Sequence, residues 1–311
     1  MAERKKVAYV FPGQGAQAVG MGRDLYDAYP SARAIFKQAD DILSFPLSKL
    51  CFEGPEEELR QTVNAQPALV TVSYACLQVA RETGKLPPAD FVAGHSLGEY
   101  TALAAAGVLD FSTTVYLARE RGHAMHEAGL ARPGSMAAVL GLDEAALADV
   151  CQQTGVWTVN INCPGQLVIS GDRDKLATAM EQAKARGAAR VVPLQVSAAF
   201  HTPLMQPAYD RMAEVLSKIC FKEPAVPVIA NTTAQPITTA EAVKPELLNQ
   251  LCDCVQWQGS VEYMIQAGVN TFIEFGPGRV LTGLIKRINK DVQTFNLSDV
   301  ASIKNLAIQG G

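Results

Sequence analysis

The run Gly94-His95-Ser96-Leu97-Gly98 is the part of this sequence best suited to chemistry. Centred on Ser96 it reads Gly-x-Ser-x-Gly, with a short apolar run (91–94) before it and an Ala/Leu-rich stretch (97–106) after it. A strand that enters a helix through a serine flanked by glycines is the setting of a nucleophile elbow. The glycines let the turn tighten, so that Ser96 Oγ stands exposed at the helix entrance. The Leu97 amide points toward the same space and can donate to an oxyanion, helped by the positive end of the helix. The chemistry would be nucleophilic attack by a serine hydroxyl on an electrophile whose oxyanion these donors receive.

A serine nucleophile needs a base, and the chain has four histidines: His95, His123, His126 and His201. His95 adjoins Ser96, so its ring is expected to turn away and pack. His123 and His126 sit three apart on a predicted helix and by default are ordinary helix-face residues. His201 follows Ala198-Ala199-Phe200 and precedes Thr202-Pro203, a cap and first-turn proline;. An element boundary suits a catalytic side chain, which favours His201 while leaving the helical pair open. A second Gly-rich turn, Pro12-Gly13-Gln14-Gly15, follows a predicted strand at 6–11. Gly13-x-Gly15-x-x-Ala18 imitates a dinucleotide fingerprint, but the region before Asp40 and Asp41 reads as one long helix where that fold needs a second strand;. The turn more simply brings backbone and Gln14 to the end of a strand, where α/β sheets bind ligands.

The elements that must position these residues fit a chain of 311 residues with 48% hydrophobic and 19% charged side chains. That composition excludes a disordered chain and implies two folded units, or one carrying an insert. A net charge of −4 argues against a nucleic-acid binder;. The seven cysteines are irregularly spaced, without a Cys-x-x-Cys pair or a secretory signal, and so read as reduced thiols of a cytoplasmic protein;. Cys252 and Cys254 lack partners for a metal site. The longest uncharged stretch (67–80) is too short and too polar to span a membrane;. Helices are expected at 24–41, 67–82, 97–106 and from a Ser112 cap to 128. Between 134 and 198 the rhythm becomes strand 135–141, helix 143–153, strands 157–161 and 166–170, helix 172–186, strand 189–194. That β-α-β-β-α-β order is ferredoxin-like. It predicts a body of 1–132 and 199–311 with a subdomain inserted at 133–198, its edges near Arg132-Pro133-Gly134 and Ser197-Ala198-Ala199. Beyond it come a helix at 202–219, strands at 226–230 and 271–275, and helices at 245–251, 257–267 and 279–288.

Taken together the motifs resemble the malonyl-CoA:acyl-carrier-protein transacylases of fatty-acid synthesis and the acyltransferases that load polyketide synthases. The resemblance runs through Phe11-Pro12-Gly13-Gln14-Gly15, Gln66-Pro67-Ala68, Gly94 to Tyr100, Arg119-Glu120-Arg121-Gly122, Asn162-Cys163-Pro164-Gly165-Gln166, Phe200-His201, Val255-Gln256-Trp257 and Gly276-Pro277-Gly278. It implies a hydrolase-like α/β body with a parallel sheet and the ferredoxin-like insert. It also implies Ser96 as nucleophile and His201 as base, the latter oriented by a main-chain carbonyl near Gln256 rather than by an acid. Gln14 and the Leu97 amide would form the oxyanion hole. Arg121, 25 positions beyond Ser96, would clamp the malonyl carboxylate. Residue pattern alone does not choose it over Arg119. Gln66 and Gln256 would line the pocket, and Phe200 would border the substrate's α-carbon. Cys163 stands where the family usually has Ser. The resemblance implies malonyl-CoA and an acyl carrier protein as partners, ping-pong transfer, no metal and no cofactor. A monomer is the default. A trans-acting polyketide acyltransferase shares every motif. A serine esterase or thioesterase shares the elbow but has no reason to carry Arg121 or the insert.

Overall fold

The computed structural model describes residues 5–196 and 198–306 and is built on two sheets. The strands are β1 (Lys6–Phe11), β2 (Phe91–Gly94), β3 (Ser135–Leu140), β4 (Trp157–Cys163), β5 (Gln166–Gly171), β6 (Arg190–Pro193), β7 (Val228–Ile229), β8 (Pro236–Ile237), β9 (Val269–Phe275) and β10 (Gln293–Leu297). The larger sheet has the order β10-β9-β1-β2-β7-β8. It is parallel except where β8 returns against β7. Val7 to Phe11 are buried without alternation, as expected of a strand covered on both faces;. Phe11 lies in register with Gly94. The Gly13 turn and the Ser96 turn therefore leave the sheet side by side at its carboxyl edge, the usual ligand crevice of an α/β sheet.

The smaller sheet has the order β4-β5-β3-β6, antiparallel throughout, the arrangement expected of a ferredoxin-like unit. Helices Glu144–Thr154 and Arg173–Ala185 bury Leu147, Val150, Leu176 and Ala179 against Val139 and Ile169. Pro133 bridges Ala198 where the chain leaves and re-enters the larger unit. A second bridge, Asn160 to Val255, fastens β4 to it.

Several helices depart from the sequence reading for local reasons. The helix expected from 67 begins at Thr62 and runs to Glu82, with Pro67 inside it. Proline removes the amide that would reach the Val63 carbonyl. Arg119 Nη1 donates to that carbonyl instead, at 2.9 Å. Arg119 is thus a half-buried brace. Helix Phe111–Ala131 is capped by Asp110, whose Oδ1 accepts from the Thr113 N–H at 2.7 Å; Ser112 is not the cap. The helices Leu47–Glu53, Glu56–Arg60 and Val300–Lys304 and the strands β8 and β10 have no counterpart in that reading. Ser197, at one expected subdomain edge, and the ends of the predicted body (1–4 and 307–311) lie outside the described residues.

Candidate active site

Ser96 occupies the turn between β2 and helix Gly98–Ala105 with φ 51°, a left-handed backbone that a non-glycine residue adopts at a cost of about 1–3 kcal/mol;. The surroundings hold it there. Its N–H donates to Asn231 Oδ1 at 2.7 Å, and Asn231 Nδ2 donates to the Gly94 carbonyl at 2.7 Å. The His95 N–H donates to the Phe11 carbonyl at 3.0 Å, binding the elbow to the end of β1. Both flanking glycines are required by contact. A Cβ on Gly94 would lie 1.9 Å from the Gly98 carbonyl carbon, and one on Gly98 would lie 2.1 Å from the Phe11 carbonyl oxygen.

His201 also has a left-handed backbone, φ 59°. Its Nε2 is 2.8 Å from Ser96 Oγ, and its Nδ1 is 2.7 Å from the Gln250 carbonyl oxygen. The second contact fixes the tautomer: Nδ1 carries the proton and donates to the carbonyl, leaving Nε2 to accept from the serine hydroxyl. Among the described residues no acid completes a triad. The orienting carbonyl belongs to Gln250, six residues before the expected Gln256. Burial first, then the Arg121 charge, push the His201 imidazole down to about 3.

Arg121 is 1% exposed and ion-pairs with no acid among the described residues. Its Nη1 donates to Gln66 Oε1 at 2.8 Å. Its Nη2 donates to Gln250 Oε1 at 2.7 Å and to Ser96 Oγ at 3.1 Å. The guanidinium carbon sits 5.6 Å from the centre of the Tyr100 ring, and Nε has no hydrogen-bond partner among the described residues. A buried cation with unused donors beside a serine hydroxyl is suited to receive a carboxylate.

Gln66, Thr62 and Gln14 extend the network: Gln66 Nε2 donates to Thr62 Oγ1 at 2.9 Å, and Thr62 Oγ1 to Gln14 Oε1 at 2.8 Å. The backbone N–H groups of Gln14 and Leu97 have no hydrogen-bond partner among the described residues, so both remain available to an oxyanion;. Ser96, His201, Arg121, Gln14 and Phe200 all line one cavity of about 330 Å³, closed by Met125 from the body and Met136, Asn160 and Leu194 from the smaller sheet's region. The structure does not bring Gln256 into this cavity. It precedes helix Trp257–Gln266, where its N–H donates to the Asn231 carbonyl at 2.7 Å. His95 both packs and faces the cavity, with Nε2 2.8 Å from Asn162 Oδ1 and its ring beside Trp257. His123 and His126 lie on helix Phe111–Ala131 and make no contact with Ser96. Cys163 is buried beneath the site region among Val255, Trp257 and Leu281. Among the described residues no group of three or more His, Cys, Asp or Glu side chains could hold a metal ion, and no helix is long and apolar enough to cross a membrane.

Gln250, Asn231 and Glu99 were not legible as site residues. Gln250 and Asn231 belong to no motif and arrive from distant loops. Glu99 alone left a signal: a charged side chain in the first turn of an otherwise apolar helix, a position that needs a buried partner;.

A serine on an elbow, a carbonyl-oriented histidine, a free pair of amides and a buried arginine together define a serine acyltransferase. The acyl transferase domain family matches residues 8–307, and the chain belongs to that family. Within it, the chain belongs with the malonyl CoA-acyl carrier protein transacylases. It is 48% identical over 309 residues to the one from Bacillus subtilis, covering 98% of this chain and 96% of that protein. It is 46% identical over 285 residues to the one from Escherichia coli K12, covering 90% and 92%. Among solved structures, the acyl-carrier-protein S-malonyltransferase of Bartonella henselae superposes with a TM-score of 0.93 at 43% identity, covering 96% and 97% of the two chains. A malonyl-transacylase solved in complex with a type II polyketide synthase acyl-carrier protein gives 0.94 at 41%, covering 96% and 98%.

Proposed function

We propose that this protein moves a malonyl group from malonyl-CoA to the phosphopantetheine thiol of an acyl carrier protein through a malonyl-serine intermediate. The observation that carries this reading is the pair of contacts at Ser96 Oγ: His201 Nε2 at 2.8 Å and the buried Arg121 Nη2 at 3.1 Å. In the first half-reaction Ser96 Oγ attacks the thioester carbonyl while its proton passes to His201 Nε2. The oxyanion accepts from the Gln14 and Leu97 amides. The C–S bond breaks, and the departing CoA sulfur takes the proton from His201. In the second, His201 removes the proton of the carrier thiol, the thiolate attacks the malonyl-serine ester, and Ser96 recovers the proton as it leaves. Arg121 pairs with the malonyl carboxylate throughout, with Gln66 and Gln250 holding the guanidinium. Met125, Met136, Leu194 and Phe200 give the cavity an apolar wall that disfavours water as the acceptor;.

The same reading divides the chain into a catalytic body of 1–132 and 199–311 and an insert of 133–198, a division supported by the Pro133–Ala198 bridge. It places the enzyme in the cytoplasm as a monomer that uses no metal or cofactor of its own. Brief exposure to malonyl-CoA should give a single malonyl adduct by intact mass, absent from Ser96→Ala. An adduct that survives Ser96→Ala overturns the assignment. A panel of fatty-acid and polyketide carrier proteins decides which pathway it serves.

A further inference from the structure

Glu99 is fully buried one turn after the nucleophile, yet nothing in the reaction above uses it. Its two oxygens have separate tasks. Oε1 accepts from the Asn231 N–H at 3.0 Å. Oε2 accepts from Gln250 Nε2, which also donates to the Ser96 carbonyl at 3.0 Å. With Nε2 committed on that side, Gln250 must turn Oε1 toward Arg121, which donates to it at 2.7 Å. The amide thus separates a buried carboxylate from a buried guanidinium that has no other acid partner.

We propose that Glu99 is a positioning residue for malonyl transfer: acting through the Gln250 amide, its carboxylate holds the Arg121 guanidinium in register with Ser96. The inference rests on the reading of Arg121 as the malonyl clamp. The site requires two acceptors from one side chain of this shape, and a carboxylate supplies both. Burial, and then the neighbouring Glu246, raise the Glu99 carboxyl well above the usual carboxylate range against the Asn231 and Gln250 donors and the Arg121 charge. The geometry nonetheless presents a donor to each oxygen, so both must accept.

Glu99→Gln keeps the shape and removes one acceptor. If the new amide oxygen serves the Asn231 N–H, its NH₂ faces Gln250 Nε2, donor against donor. Relief comes from rotating the Gln250 amide, which then presents its own NH₂ to Arg121. The elbow keeps both Asn231 bonds and gives up only the one from Gln250 Nε2 to the Ser96 carbonyl, so the larger loss, a donor turned against a buried cation, falls on the clamp.

The test is single-turnover loading of Ser96 from malonyl-CoA and from acetyl-CoA, which has no carboxylate for Arg121. Glu99→Gln should lower malonyl loading at limiting substrate by about 10- to 100-fold and acetyl loading by no more than about threefold. In an Arg121→Ala background the same change should cost malonyl loading no more than about threefold, because the residue it acts through is gone. Equal losses on both substrates, or an undiminished loss without Arg121, would show that Glu99 is only part of the core. Should Glu99→Gln fail to fold, Gln250→Met breaks the same connection and keeps the backbone carbonyl that holds His201. It should reproduce the malonyl-selective loss, and an equal loss on both substrates overturns the proposal. Wild-type enzyme that loads no malonyl overturns the functional reading and takes this inference with it.

Discussion

In the proposed reaction His201 must be a base while a cation sits beside the hydroxyl it deprotonates. Its surroundings resolve this by keeping the ring neutral: burial and Arg121 depress it to about 3, His95 adds a little, and only the Gln250 carbonyl opposes them. The form that accepts the serine proton is therefore present across the physiological range. Modification of Ser96 by a neutral sulfonyl fluoride, which makes no use of Arg121, should stay flat from about pH 8 to about pH 5. An ordinary histidine titrating near 6.5 would lose roughly 30-fold over that interval. A decline with a midpoint in the ordinary histidine range would show that a different, exposed histidine is the base. Ser96 was readable as the candidate nucleophile from Gly-x-Ser-x-Gly set between a predicted strand and a predicted helix. His201 and Arg121 needed the resemblance to separate them from His123, His126 and Arg119. The structure adds a physical distinction: Arg119 braces the carbonyl left free by Pro67, and Arg121 reaches the serine. Gln250 was beyond reach of the sequence because its roles come from a backbone carbonyl and a side chain meeting three separate elements, and no residue type advertises that.

At the scale of elements the elbow is a packing problem more than a turn preference. Helix Gly98–Ala105 enters so close to β1 that the Phe11 carbonyl occupies the place of a Gly98 side chain. Gly98→Ala must push the helix start, and Ser96 with it, away from the sheet. Overpacking of this kind costs about 1–3 kcal/mol. That corresponds to a fall in melting temperature of about 2–4 °C per kcal/mol for a domain of this size. Acyl loading should fall further than stability alone explains, because Ser96 leaves the reach of His201. Gly283→Ala is the control. That glycine lies in helix Val280–Ile288 with nothing near its absent side chain, so alanine should stabilise by about 0.5–1 kcal/mol;. A Gly98→Ala protein with unchanged melting and loading would show that the approach is looser than the structure describes. The strands and helices of the smaller sheet were legible because caps and turn glycines bound them, Asp143 and Gly155 around one helix, Asp172 before the other and Gly165 between β4 and β5;. Leu47–Glu53 and Glu56–Arg60 were not, since five to seven residues hold too few turns to establish a period;.

At the scale of the whole molecule, the cavity beside Ser96 is lined from both sheets. Ser96, Arg121 and Met125 come from elements around the parallel sheet, Met136 and Asn160 from strands of the smaller one. Phe200 stands where the chain returns from one to the other, two residues after the Ala198 bridge and immediately before the base. It is 7% exposed and borders both the catalytic cavity and a second one of about 370 Å³ that shares Gln14 and Arg60 with it. A methyl group on the substrate's α-carbon would meet that ring or force it from its rotamer. The penalty of about 1–3 kcal/mol is equivalent to about 5- to 150-fold in selectivity. Wild-type enzyme should therefore prefer malonyl-CoA to methylmalonyl-CoA by a factor in that range, and Phe200→Ser should narrow it. Competition between the two esters, followed by mass of the acyl-enzyme, measures the preference directly. Equal use of both by the wild type would mean that Phe200 packs the junction without closing the pocket, and that the volume beside the α-carbon is set by the methionines instead.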